Sequence, residues 1–330
     1  MYRFNLFIKI TASKHAIGNP LEGHYTSSLS ANLKDCFTMH LSMNEELSLA
    51  PVPGLTGCHV DSLYEKGSSN INEDRLLVGK ALFGVFDGAT SLKENSLTEE
   101  GMTGGAFAAQ IAKDTFSGAV GNLFDTAVEA NRRIGLSQVA AGVNVNERET
   151  LWSTTMAVVR ILGEELEYCF TGDALIMLFY EDDSYTFLTP DVDIDRETLI
   201  LWKKLNSSAK SEKKSVYTAL NKQIKKVRLQ MNREYGVLNG EPAAVDFIGH
   251  GTCDLTGVTD ILLFTDGLYL PKEDPTQVSD WTTFVDLYQK QGLQGVRDHV
   301  RSLQHSDPDL TVYPRFKLHD DIAAISLSLK

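Results

Sequence analysis

Five acidic positions stand where apolar runs stop or start. Glu73-Asp74 precede "RLLVG", Asp87-Gly88 follow "LFGVF", Asp173 lies between "YCFT" and "ALIML", Asp266-Gly267 follow "ILLFT", and Asp320-Asp321 precede "IAAISLSL". Aspartate and glycine are common turn formers, so one such pair alone reads as the turn by which a strand leaves its sheet. Five of them suggest a shared rim. Carboxylates gathered there would repel one another and climb in pKa unless cations neutralised them. Hard oxygen ligands with no nearby His or Cys point to Mg²⁺ or Mn²⁺. A glycine after aspartate lets a backbone carbonyl approach an ion without a side chain in the way. Two such ions hold and acidify a water between them, which is the chemistry that phosphate-ester hydrolysis needs. The plain alternatives are a solvated turn at Glu73-Asp74 and a hairpin turn at Asp173.

The elements around these acids must bring them together. "RLLVGKALFGVF" (75–86) reads as two strands or one bent hairpin, and "LTEEGMTGGAFAAQIAKDTF" (97–116) as a helix with acids in its first turn. In that helix Phe107, Ile111 and Phe116 are apolar, and the small residues Gly104, Gly105 and Ala108 allow close packing. A second helix spans about 120–140. "TTMAVVRIL", "ELEYCFT", "ALIMLFY" and "YTFLTP" follow as four strands. Residues 192–240 are Lys-rich, polar and weakly helical. "AVDFIG", "DILLFT" and "IAAISLSL" return to strand, with a helix over roughly 278–305 between the last two. The pattern predicts one α+β domain over 55–330, its sheets packed together and its helices outside. Residues 1–54, polar and punctuated, read as an N-terminal extension.

The totals bound the function. The 330 residues include 31 Lys and Arg against 44 Asp and Glu, a net charge of −13, which argues against general nucleic-acid binding. No apolar stretch approaches the ~20 residues that span a bilayer, so no membrane partner is expected, and the location expected is cytoplasmic, with the nucleus left open. Cys36, Cys58, Cys169 and Cys253 are scattered without a CxxC pair and read as reduced, mostly buried thiols. Lys203, Lys204, Lys213, Lys214, Lys225 and Lys226 read as a solvated helix face, or as a patch that gathers phosphoprotein.

Seven segments carry a resemblance: "NEDR" (72–75), "FGVFDG" (83–88), "STTMAVV" (153–159), "TGDA" (171–174), "LTPD" (188–191), "ILLFTDGL" (261–268) and "DDIAAISL" (320–327). In this order they resemble the metal-dependent protein phosphatases of the 2C type, over about 65 to 330. The resemblance implies a central β-sandwich of two antiparallel sheets flanked by helices (four-layer αββα). It implies a monomeric phosphatase of phosphoserine and phosphothreonine proteins, in which a metal-activated water attacks directly. Asp87 would bridge two Mg²⁺ or Mn²⁺ ions, with the Gly88 carbonyl on one and Asp266 and Asp320 on the other. Glu73 would reach an ion through water, Asp74 would orient the attacking water, and Asp173 with Asp266 would hold a weaker third ion. The insert 192–240 falls where the family carries a flap.

The chain departs from the family at accessory positions. Ala89 stands where a His usually follows Asp-Gly, Ser69 where a phosphate-binding Arg is usual, and Leu270 where an acid follows the second Asp-Gly. Val192 replaces a His and Asp321 an Asn, while His319 offers itself as a substitute acid. A rival reading follows from these losses: a pseudophosphatase, the fold kept as a binding or regulatory module.

Overall fold

A computed structural model describes residues 58–89, 101–206 and 213–329, with side chains from 218 onward in the last stretch. The expected N-terminal extension, Cys36, and the side chains of Lys213 and Lys214 lie outside the described residues. The order is β1 (His59–Glu65), β2 (Arg75–Val78), β3 (Leu82–Gly88), α1 (Gly104–Ser117), α2 (Leu123–Ala140), β4 (Thr154–Leu162), β5 (Glu165–Thr171), β6 (Leu175–Tyr180), β7 (Tyr185–Phe187), α3 (Arg196–Asn206), α4 (Lys213–Arg228), β8 (Gly249–Asp254), β9 (Val258–Phe264), α5 (Trp281–Ser306) and β10 (Ile322–Ser328). Two antiparallel five-stranded sheets result, in the orders β1-β10-β9-β6-β7 and β2-β3-β4-β5-β8.

Strand β4 shows why the sheets stack. Its apolar run is buried on both faces, because alternate side chains point to opposite sides. Ala157, Val159 and Ile161 face the second sheet and pack with Ile176, Leu263 and Ile325. Met156 and Val158 face outward onto Ala108, Phe116, Leu123 and Ile134 of α1 and α2. On the far side, Phe284, Val296 and Val300 of α5 cover Leu262 and Phe264 of β9. These contacts make the packed sheets and outer helices that the patterning calls for, in the four-layer arrangement that the resemblance implies.

Two local expectations are corrected. The first helix begins at Gly104 rather than near residue 97, because Thr103 caps it, its hydroxyl accepting from Ala106 N at 3.2 Å. "AVDFIG" is not a strand: Pro242 opens a 3₁₀ turn, and Ala244 N donates to Glu241 O at 3.1 Å. The strand there is β8, "GHGTCD".

Candidate metal centre

Antiparallel pairing carries the acids to one end of the sandwich, since the finish of each strand lies beside the start of its neighbour. Asp87, near the end of β3, pairs with Thr155 at the start of β4. Met156 pairs with Thr171 at the end of β5, just before Gly172-Asp173. Arg75, just after Glu73-Asp74, pairs with Phe86. In the other sheet Phe264, just before Thr265-Asp266, pairs with Leu175 of β6 and Ala324 of β10. All five sequence-derived acidic positions therefore meet at one rim.

Side chains lock the two sheets together there. The Thr265 hydroxyl donates to Asp74 Oδ2 at 2.7 Å. Asp321 accepts from the backbone N–H of Glu73 at 2.8 Å and of Gly67 at 2.7 Å. It is buried, and an acid serves here because two N–H donors meet it. Glu73 also accepts from Thr103 at 2.5 Å, which ties it to the first turn of α1. Glycine after aspartate turns out to serve backbone packing. A Cβ on Gly88 would fall 2.4 Å from the Gly105 backbone, and one on Gly267 would fall 1.8 Å from Asp321 O.

The electrostatics are severe. Glu73 and Asp74 are buried, and Asp87, Asp173, Asp266 and Asp320 are half-buried. Burial, followed by Asp74, Asp173 and Asp320, pushes the Asp87 carboxyl well above its ordinary range. Burial with Asp87, Asp320 and Asp173 does the same to Asp266, and burial also raises Asp74, against the Thr265 hydrogen bond. Burial lifts Asp173 to about 6.

Sequence reasoning passed over several members of this site. Asp195, just before α3, is pushed up to about 7 by burial and then by Asp173 and Asp320. Arg228, the last residue of α4, lowers Asp195 in turn and donates to Ser153 Oγ at 3.3 Å. Ser153 O accepts from Ala89 N at 3.0 Å, so both ends of the insert reach the rim. The Tyr269 hydroxyl donates to Asp173 O at 2.5 Å. Lys317 Nζ lies 2.8 Å from Asp320 Oδ1 and 3.8 Å from Glu73 Oε2. No local pattern marks Asp195, Arg228 or Lys317 in the chain; an acid or a base in a polar segment looks like any other.

Other candidates fall elsewhere. The imidazole of His319 faces His305, with ring centroids 4.7 Å apart, and its Nδ1 is 2.9 Å from Gln304 Oε1. Burial and then Arg301, His305 and Arg315 hold it below its ordinary pKa, so it carries little proton at neutral pH and makes a poor substitute acid. Lys225 pairs with Glu149 at 2.6 Å and Lys226 with Glu197 at 3.2 Å on the surface, as a solvated helix face does. Cys169 is buried, and Cys58, Cys169 and Cys253 are free thiols.

The side chains gathered at the rim are carboxylates, hard oxygen donors of the kind that suit a divalent ion. The Thr155 hydroxyl, at the register position opposite Asp87, is buried. Among the described residues, however, no three Asp, Glu, His or Cys side chains form a ready-made ligand group. The acids are gathered close enough for their charges to act on Asp74, Asp87 and Asp266, but among the described residues they do not close into a coordination shell.

No protein-family model matches the chain, and no curated protein sequence matches it. Solved structures do. The catalytic domain of the serine/threonine protein phosphatase PstP, in complex with two manganese ions, is 15% identical, with a TM-score of 0.49 over 82% of this chain and 98% of that one. PppA, a regulatory component of the T6SS in Pseudomonas aeruginosa, gives 15% and 0.49 over 83% and 98%. The serine/threonine phosphatase Stp1 from Staphylococcus aureus gives 14% and 0.48 over 83% and 96%. PstP and Stp1 are serine/threonine phosphatases, and at these identities the likeness of this chain to all three is one of fold.

Proposed function

We propose that this chain is a divalent-metal-dependent phosphatase, acting as a monomer on phosphoserine and phosphothreonine of proteins, with 55–330 as its catalytic unit and 1–54 as an extension. One observation carries the reading: Asp74, Asp87, Asp173, Asp266 and Asp320 gather at one rim, where burial and then the neighbouring charges push up the carboxyls of Asp74, Asp87, Asp173 and Asp266. Such crowding lowers stability in the absence of cations, and a protein that keeps it has a use for cations there. Asp87, Asp266, Asp320 and the Gly88 carbonyl would hold Mg²⁺ or Mn²⁺, with Glu73 reaching an ion through water and Asp173 serving a weaker third one. When bound, the ions neutralise phosphoryl oxygens and acidify water.

The chain's own residues do the rest. Asp74, out of solvent on the Thr265 hydroxyl, would orient the attacking water through its other carboxylate oxygen. Thr103 and Asp321 fix Glu73 from two sides. No phosphoenzyme is invoked, since the described cysteines are buried or half-buried free thiols, and burial raises each of them. Hydrolysis of a chromogenic aryl phosphate is expected to need Mn²⁺ or Mg²⁺ and to vanish with chelator. Undiminished activity after exhaustive metal removal would refute the reading.

The second reading, a pseudophosphatase that binds rather than cleaves, is favoured by Ala89 and by the absence of a closed ligand group among the described residues. Calorimetry with Mn²⁺ separates the two. Binding in the millimolar range or below supports the enzyme; no binding there supports the pseudophosphatase.

A further inference from the structure

Lys317 lies three residues before Asp320, in the segment that leads into β10. Its ammonium donates to Asp320 Oδ1 at 2.8 Å and stands 3.8 Å from Glu73 Oε2. Its side chain is 20% exposed, against 56% for the surface partner Lys225. Removing an ammonium from water is costly, and it stays charged only where anions more than offset the loss. Asp320, Glu73 and Asp87 supply that offset. The lysine thus touches two carboxylates that the proposed metal centre requires, and its field reaches the third.

Building on the metal-dependent reading above, we infer that Lys317 is a tethered cation that occupies Glu73 and Asp320 in competition with a divalent ion. The chemistry is an exchange of charge. Without metal, the ammonium relieves part of the repulsion among the rim acids. A divalent ion arriving at Asp320 meets a positive charge already at contact distance, and either the side chain swings away or the ion binds against its repulsion. Lys317 is therefore a positioning residue: it sets how much metal the site demands and lets the fold persist without any.

The test compares the full chain with Lys317→Gln and Lys317→Arg by Mn²⁺ calorimetry. Glutamine keeps an N–H donor for Asp320 but no charge, whereas arginine keeps the charge. Lys317→Gln is expected to bind Mn²⁺ at least about tenfold more tightly than the native chain, and Lys317→Arg to stay close to native. Its metal-free melting temperature is expected to drop, and Mn²⁺ to raise it further than it raises the native chain's. Equal or weaker Mn²⁺ binding by a folded Lys317→Gln overturns the inference alone. If neither the native chain nor Lys317→Gln binds Mn²⁺ in the millimolar range, the metal-dependent reading fails and the inference with it. Binding by Lys317→Gln where the native chain shows none supports both. Should Lys317→Gln unfold without metal, recovery of its melting transition by Mn²⁺ supports the exchange, and failure to recover counts against it.

Discussion

Asp87 lies opposite Thr155, and its backbone is drawn into the site by the Gly88 N–H, which donates to Glu73 O at 3.2 Å. A turn former alone would tolerate Asp87→Asn, since asparagine serves turns equally well. A bridging ligand would not. The substitution removes one charge and one strong donor oxygen, so activity at saturating Mn²⁺ is expected to fall roughly a hundredfold or more, on the scale of other electrostatic catalytic groups. The metal-free fold is expected to hold or gain stability, because one of several mutually repelling carboxyls is gone. A steady-state assay beside a thermal melt reads both, and full activity in Asp87→Asn returns the residue to an ordinary turn. The strand-end acids were legible because an acid that interrupts an apolar run is conspicuous. Asp195 and Lys317 were not, because each lies in a polar segment where charge is unremarkable.

Among the elements, α1 does most to shape the site. Thr103 caps it, accepting from Ala106 N, while its hydroxyl hydrogen goes to Glu73. Thr103→Ala removes both contacts and is expected to cost about 1 kcal/mol of stability, as lost caps do. It should also weaken Mn²⁺ binding through a looser Glu73, whereas Thr103→Ser restores both. Melting curves and Mn²⁺ titration of the two variants check this; a stability loss with native Mn²⁺ affinity would leave Thr103 a cap and nothing more. The acids read as the helix's first turn hid this cap from the sequence. Strand β8 was hidden for another reason. Its Gly249 and Gly251 carry no side chain to show an alternation, and the rings of Phe170 and Tyr168 on β5 fill that space instead.

For the molecule as a whole, the crowded rim sets how stability responds to pH and metal. Asp173 and Asp195 have folded-state values of about 6 and about 7, above their ordinary 3.8. A raised acid binds its proton more tightly when folded, so its contribution is full below the ordinary value and lost as pH climbs through the folded one. Asp307 acts oppositely: held at about 2 by three backbone N–H groups and Arg315, against burial, it contributes above the ordinary value and loses that only in strong acid. The metal-free melting temperature is therefore expected to decline from about pH 4 to pH 8. Asp195→Asn should flatten that decline, which separates the rim from the general effect of a −13 charge. Saturating Mn²⁺ should raise stability by about 2.7 kcal/mol at a hundredfold excess over its Kd, and most at the alkaline end where protons no longer compete. A slope unchanged in Asp195→Asn would remove Asp195 from the rim.

The same division separates what the linear chain decides from what folding decides. The α+β class, most strands and the acids at their ends are local matters, because apolar periodicity and its interruption are written in neighbouring residues. Which strand ends lie together depends on pairing between segments as distant as Asp74 and Thr265 or Glu73 and Asp321, 191 and 248 residues apart. Only that pairing turns solvated turn acids into a desolvated, mutually repelling group, since burial and proximity have no counterpart in an extended chain. Lys317 is the sharpest case: in the sequence it is one of 31 basic residues, and in the fold it is the ammonium against Asp320 and Glu73.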